Sequence, residues 1–487
     1  MKLKKILPSL FLYTGLSVFA QDVASVQPSW TLPVIMINTI NGDSIKSKEE
    51  YLPASFVIVE KNGQKRDSMN IQIRGRGNYS WNSFKKKPYK VKFENKIKLT
   101  CGGKSKHYAL LALVANGLSY WDNLIGFELS RRIGLEWTPS MEPYELILNG
   151  DYQGIYFVTE NIRIEKGRVN IEEQENGEND IEKVSGGWLL EIDNYIEENQ
   201  IYLYDRESKP IRITYHSPDS LSEAQYQYLN DFLQTTNNAT QTEDNNNDDW
   251  ELYIDIDELA KYYIVQEIMD NAEAFCGSCW MYKERGELEK IKFGPLWDMD
   301  SSFFREEPNW ITDVMVMGMR YKQRWLTELL KHPHFQETVN NYWLAFKGRT
   351  DIQSLLDSCY SQLRIAAEHD HQRWPEYSYA YSQESLNTFI LRYKNKLQFL
   401  NNNWGKVNTI RGINDSESVL IANGSIEFKG YNNEVLNAQI VYLNGIARPL
   451  SKLAYNRFEI KVLPKVPVLL RYTVNDKSYN RKIVSNK

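Results

Sequence analysis

The chain has 487 residues, 58 of them basic and 63 acidic, for a formal charge of −5, with 13% aromatic residues, six histidines and four cysteines. At ~100–200 residues per domain this length predicts two or three domains. The mild acidic excess is a poor match to a nucleic-acid partner, which is bound through clustered Lys and Arg, and four cysteines are too few for a disulfide framework.

The first twenty residues read as an export signal. Lys2, Lys4 and Lys5 form a basic start, Ile6 to Phe19 an apolar run, and Ser17-Val18-Phe19-Ala20 a small-residue cleavage site. The run is shorter than the ~20 residues of a spanning helix and is interrupted by Pro8, Ser9 and Gly15. No later stretch is long and apolar enough to cross a bilayer, so no transmembrane segment is expected. The expectation is an exported protein of the periplasm, cell surface or medium, with residues 21–30 as a linker. The stretch 31–100 carries strand patterns at Val34–Ile37, Phe56–Val59, Ile71–Ile73 and Tyr89–Phe93. A helix is predicted over 118–133 with Gly134 as its stop. Tyr144–Leu148 and Gly154–Val158 flank Asn149-Gly150, the dipeptide of a tight hairpin. Gly187 to Asp193 reads as another strand, and the Thr-, Asn- and Asp-rich stretch 236–249 as a solvated loop. A helix follows at Ile256–Met269, then strands at Trp280–Lys283 and Lys290–Phe293. Residues 323–404 read as helical, and from about 410 short strands with turns at Asn423-Gly424 and Asn444-Gly445 predict a small β-sandwich.

Three constellations carry chemistry. Arg74-Gly75-Arg76-Gly77-Asn78 and the following Lys85-Lys86-Lys87-Pro88-Tyr89-Lys90 suit an anion: glycines admit close backbone approach, and the cations supply charge-assisted bonds. Their spacing is neither a Walker loop nor a Rossmann fingerprint. Asp298 and Asp300, in Gly294-Pro295-Leu296-Trp297-Asp298-Met299-Asp300, leave a strand where one or two carboxylates suit Mg2+ with phosphate oxygens. Glu267, Asp270, Asn271 and Glu273 end the preceding helix, where a carboxylate can act as general base on a hydroxyl. Cys276 and Cys279 form a lone Cys-x-x-Cys without the second ligand pair a zinc site needs; core thiols or one disulfide remain open. Among the histidines, the spacing of His369 and His371 is too slight to define a site.

These motifs, in this order, with Leu148 to Tyr156, Glu160, Arg168-Val169 and Gly186 to Asp193, resemble the CotH family, named for a spore-coat protein kinase. The resemblance spans 31–405. It implies an α+β, atypical protein-kinase-like fold with a helical C-terminal part, followed by the β module at 410–487. It implies ATP and Mg2+ as cofactors and Ser or Thr of a protein as substrate, because phosphoryl transfer depends mainly on positioned phosphates, neutralised charge and an oriented hydroxyl. By the resemblance Arg74, Lys86, Lys87 and Lys90 hold phosphates, Glu160 orients a lysine, Asp298 and Asp300 bind the metal, and Glu273 takes the place of the base. Two positions depart from the family pattern. Glu273 stands where Asp is expected, and Ser278 where a second metal ligand such as Asn is expected. The alternative is a catalytically weak or inactive CotH-fold protein that binds an envelope or surface protein or glycan. The segments Val441–Gly445 and Tyr472–Lys487 also loosely resemble C-terminal sorting domains of exported Bacteroidetes proteins.

Overall fold

The computed structural model describes residues 26–303, 324–404, 418–422, 425–429, 434–441, 447–460, 468–474 and 477–483. The export-signal reading of residues 1–20 and the turns at Asn423-Gly424 and Asn444-Gly445 lie outside them. The first seven strands, β1 (Val34–Thr39), β2 (Leu52–Val59), β3 (Met69–Gly75), β4 (Tyr89–Ile97), β5 (Ser105–Leu111), β6 (Met141–Leu148) and β7 (Asp151–Glu160), close into a barrel. Its order is β1-β2-β3-β4-β5-β7-β6, antiparallel throughout except where β1 meets β6 in parallel. Alternation decides what fills it: Ile35, Ile37, Phe56, Ile73, Val91 and Leu110 point inward into one cluster. On β5 and β7 the other face is apolar too. Ala109, Leu111, Ile155 and Phe157 join a second, larger core outside the barrel. The Asn149-Gly150 turn has φ of 51° and 81°, the left-handed pair that a two-residue hairpin loop requires.

The larger core is built by helices and a second sheet. The short helix α1 (Tyr79–Ser83) follows β3, and α2 (Ser119–Ile133) ends on Gly134 at φ 89°. Beyond α3 (Ile181–Val184) come β8 (Trp188–Asp193), β9 (Gln200–Tyr204), β10 (Pro210–Ser217), α4 (Glu223–Thr240) and α5 (Ile256–Ile268). Strands β11 (Cys279–Lys283) and β12 (Ile291–Phe293) complete a five-stranded antiparallel sheet of order β12-β11-β8-β10-β9. Helices α6 (Arg324–Leu329), α7 (Pro333–Phe346), α8 (Gln353–Arg373) and α9 (Gln383–Asn403) follow. The mixture is α+β.

Helix α4 corrects the reading of 236–249 as loop, because it runs on to Thr240. A capping box between Ser222 and Gln225 starts it, and buried Leu229 and Leu233 hold it. Ser29 and Trp30, read as linker, donate backbone N–H bonds to Glu145 on β6. The four cysteines form no disulfide. Strands β13 (Ser418–Ala422), β14 (Ser425–Lys429), β15 (Val435–Val441), β16 (Ala447–Pro449), β17 (Ser451–Ala454), β18 (Arg457–Glu459), β19 (Val468–Val474) and β20 (Lys477–Ile483) make two four-stranded sheets. One cluster that includes Ile426, Phe458, Ile440 and Leu470 draws side chains from both. Among the described residues no helix is long and apolar enough to cross a membrane.

Candidate active site

A cleft of about 770 Å3 opens between the end of the barrel and the five-stranded sheet, a size suited to a small ligand. Its barrel wall is basic. Strand pairing sets Arg74 of β3 opposite Lys90 of β4, and the chain after β3 adds Arg76, whose N–H bonds to Pro88 O at 3.2 Å. Lys48 and Arg163 border the same space. So many cations share this wall that burial, and then Arg74, Arg76, Arg163 and Lys92, push the Lys90 ammonium down to about 8. His107, paired with Lys92 across β4 and β5, is pushed down to about 4 by burial and by Arg163, Lys90 and Lys92. Glu49 lies 3.4 Å from Arg74 on the same wall, but the cations outnumber it, which suits the wall to an anion.

The facing wall comes from the sheet. Leu189 of β8, His216 of β10 and Trp280 of β11 line it. The His216 ring stacks on Trp280 at 4.4 Å and bonds the buried Glu191 carboxylate at 2.6 Å. Burial raises Glu191, and His216 opposes that shift.

Where β12 ends, Gly294 N–H bonds Trp280 O, and the chain turns into the acidic loop. Trp297 reaches the cleft between two supports: Phe127 of α2 stacks on it at 6.3 Å, and the Arg76 guanidinium lies over it at 5.7 Å. Helix α2 packs close because Gly126 leaves room; a Cβ there would meet Met299 at 2.8 Å. Asp298 sits at φ 54°, and the Asp300 N–H and the Ser278 hydroxyl are near enough to oppose the rise that burial gives its carboxyl. Ser278, at φ 48°, shares the left-handed backbone, so two strained residues meet in one place. Asp300 accepts from Asn123 Nδ2 at 2.6 Å, and Asn116 Nδ2 donates to its carbonyl at 2.5 Å. Burial raises both carboxyls, Arg76 lowers both, and Asp298 adds to the rise of Asp300. Glu273 is near enough to raise Asp300 further. Buried Asp122, at the start of α2, is itself raised by burial and by Asp300.

This donor set fits Mg2+: hard oxygen ligands crowd together with too little positive charge, and a divalent ion supplies it. Asp298 and Asp300 would hold it, with Ser278 in reach of Asp298.

The structure therefore brings together Arg74, Lys90, Glu273, Ser278, Asp298 and Asp300. It leaves out three residues given roles by resemblance. Lys86 is fully buried and paired with Asp370 of α8, so it is no phosphate ligand in this arrangement. Lys87 donates to Trp81 O and lies over that indole at 5.6 Å. Glu160 accepts from Thr100 Oγ1 and from Ser140 N–H, not from a lysine. Glu267 and Asp270 are likewise structural, both bound to buried Lys396. Sequence reasoning placed Arg76 in the anion-binding loop without giving it a role of its own, and passed over Arg163, Asn123 and the Glu191–His216 pair. Only Arg76 had a signal there: two residues after Arg74, extended backbone places it on the same side.

A search of curated proteins finds no match. The family model described as CotH kinase protein matches residues 72–400, which include the acidic loop and, apart from Lys48 and Glu49, the residues named on both walls of the cleft, and the chain belongs to that family.

Proposed function

We propose that the cleft binds ATP with Mg2+ and transfers the γ-phosphoryl group to a Ser or Thr hydroxyl of a protein substrate. The protein acts after export, with a kinase-like fold over 31–405 and an accessory β-sandwich at 410–487. The observation that carries this reading is the position of Arg76, which faces Asp298 and Asp300 from the basic wall. A nucleotide phosphate and its metal belong at that junction.

Arg74, Arg76, Lys90 and Arg163 hold phosphate oxygens and keep the chain of phosphates extended along the barrel wall. Asp298 and Asp300 would hold Mg2+, which would neutralise charge that develops on the leaving ADP. The substrate hydroxyl oxygen attacks the γ-phosphorus, the bond to the bridging oxygen breaks, and Glu273 accepts the hydroxyl proton. Trp280 and Trp297 flank the cleft and exclude water, which otherwise competes as acceptor.

A second reading is a nucleotide-binding, non-transferring protein that recognises an envelope or surface partner. The Glu273 and Ser278 departures from the family pattern favour it, with Ser278 a weaker metal ligand than Asn. Incubation with γ-labelled ATP and Mg2+ separates the two. Label on protein, lost in Asp298→Ala, supports transfer; nucleotide binding with no label on any protein acceptor supports the second reading.

A further inference from the structure

We propose that Asp248, Glu251, His332 and His334 form a transition-metal site, matched to Zn2+, that clamps the Asp249–Leu252 turn to the start of α7. The site shares no residue with the cleft. Asp248 caps a one-turn 3-10 helix, Asp249–Leu252, that carries Glu251. His332 caps α7, whose first residue is Pro333, so His334 lies in its first turn. One ligand atom from each of Asp248, Glu251 and His334 lies within 4.8 Å of the others; His332 stands outside that group, against Asp248, and turns in as the fourth ligand when the ion binds.

The second observation is His332. Its side chain is 1% exposed, and its Nδ1 lies 3.4 Å from Asp248 Oδ1. Neither atom makes a hydrogen bond. An imidazole nitrogen and a carboxylate oxygen, neither hydrogen-bonded and 3.4 Å apart, thus face one another in a buried position, where polar groups are ordinarily hydrogen-bonded. A bound cation satisfies both at once. Trp250 packs edge-on against the His332 ring at 5.7 Å and fixes its plane.

Ligand chemistry selects the ion. Imidazole nitrogens disfavour Mg2+ and Ca2+, which take oxygen, and two nitrogens with two carboxylates suit four-coordinate Zn2+. Ligands ~2.1 Å from a tetrahedral ion stand about 3.4 Å apart. The His332–Asp248 pair is already at that separation. His334 Nδ1 and Glu251 Oε1, now hydrogen-bonded at 2.5 Å, must open by about 0.9 Å. The His334 side chain is 46% exposed and gives the ion a way in. Asp249 of the same turn pairs with Arg471 of β19 at 3.2 Å, so the clamp also steadies that anchor.

The test uses the full chain stripped with chelator, titrated with Zn2+ by calorimetry and with Co2+ by visible absorption. The expected result is one Zn2+ per chain, a higher melting temperature, and the intense Co2+ bands of a four-coordinate site. His334→Gln and Glu251→Gln, both at the accessible edge, are each expected to weaken Zn2+ binding by at least ~10-fold with unchanged circular dichroism. Asp298→Ala is expected to leave it intact. No Zn2+ binding by the folded chain, weak Co2+ bands of a hydrated ion, or binding untouched by both edge variants would overturn the assignment.

Discussion

Arg76 lies over the ring of Trp297, its guanidinium carbon 5.7 Å from the centroid, and this one contact joins the glycine-rich loop after β3 to the acidic loop after β12. Burial disfavours the Arg76 charge, and Asp298 and Asp300 offset part of that cost. The three groups form one electrostatic unit.

Arg76→Ala should therefore act on both sides of the cleft. It removes a phosphate ligand and leaves Asp298 and Asp300 facing each other with less compensation. We expect loss of nucleotide-induced stabilisation in a thermal melt. Arg76→Lys should recover only part of it, because an ammonium keeps the charge but not the planar stack on Trp297. Full recovery in the lysine variant would show that charge alone matters.

Lys90 gives a proton-linked prediction. Its folded value of about 8 lies below its ordinary 10.5. Between those limits the folded chain holds fewer protons than the unfolded one, so this group's contribution to stability rises with pH there. A bound phosphate reverses the shift and draws a proton in. Calorimetry at pH 8 in buffers of different ionisation heat should show proton uptake on ATP binding. Lys90→Met should remove that uptake, weaken binding, and raise the melting temperature of the free protein by about 1–3 °C.

Lys86 makes the opposite case. Its partner Asp370 also accepts the Ile155 N–H at 2.7 Å, so Lys86→Met strands a buried carboxylate and should cost roughly 3–5 kcal/mol in denaturant unfolding. Replacing both members, Lys86→Met with Asp370→Leu, should recover most of that loss. The double variant should retain the nucleotide-induced shift of the parent. Loss of the shift in a folded double variant would return Lys86 to the phosphate site.

What was legible in the sequence was what local chemistry decides. Gly134 stops α2, and Asn149-Gly150 turns β6 into β7, because each needs a left-handed backbone that few residues adopt. Strand alternation likewise marked the barrel interior at Ile71, Ile73, Val91 and Phe93. The polar end of α4 misled, since its Thr and Asn residues hold helical form only through tertiary packing and Tyr204 O, to which Asn237 donates. Which lysine of the run 85–87 turns inward depended on Asp370, 284 residues from Lys86. The pairing of His332 with Asp248 was hidden for the same reason: neither local spacing nor periodicity reports it.

In the proposed transfer, Glu273 and Ser278 stand at the chemical step. Glu places its oxygens one methylene further out than Asp, and a displacement of ~1 Å can cost ~100-fold in rate. We expect Glu273→Asp with Ser278→Asn to raise phosphoryl transfer by about 10–100-fold while nucleotide affinity changes little. An unchanged rate in the double variant would remove these positions as the cause of any weak turnover.

The most direct test of the cleft as a metal–nucleotide site is a thermal melt of the protein with ATP, ADP and AMP, each with and without Mg2+. The account predicts stabilisation that is greatest for ATP with Mg2+, about 2.7 kcal/mol at a hundredfold excess over Kd. It also predicts that Asp298→Ala abolishes the Mg2+-dependent part. A melt that no nucleotide moves, with Mg2+ or without, would contradict it.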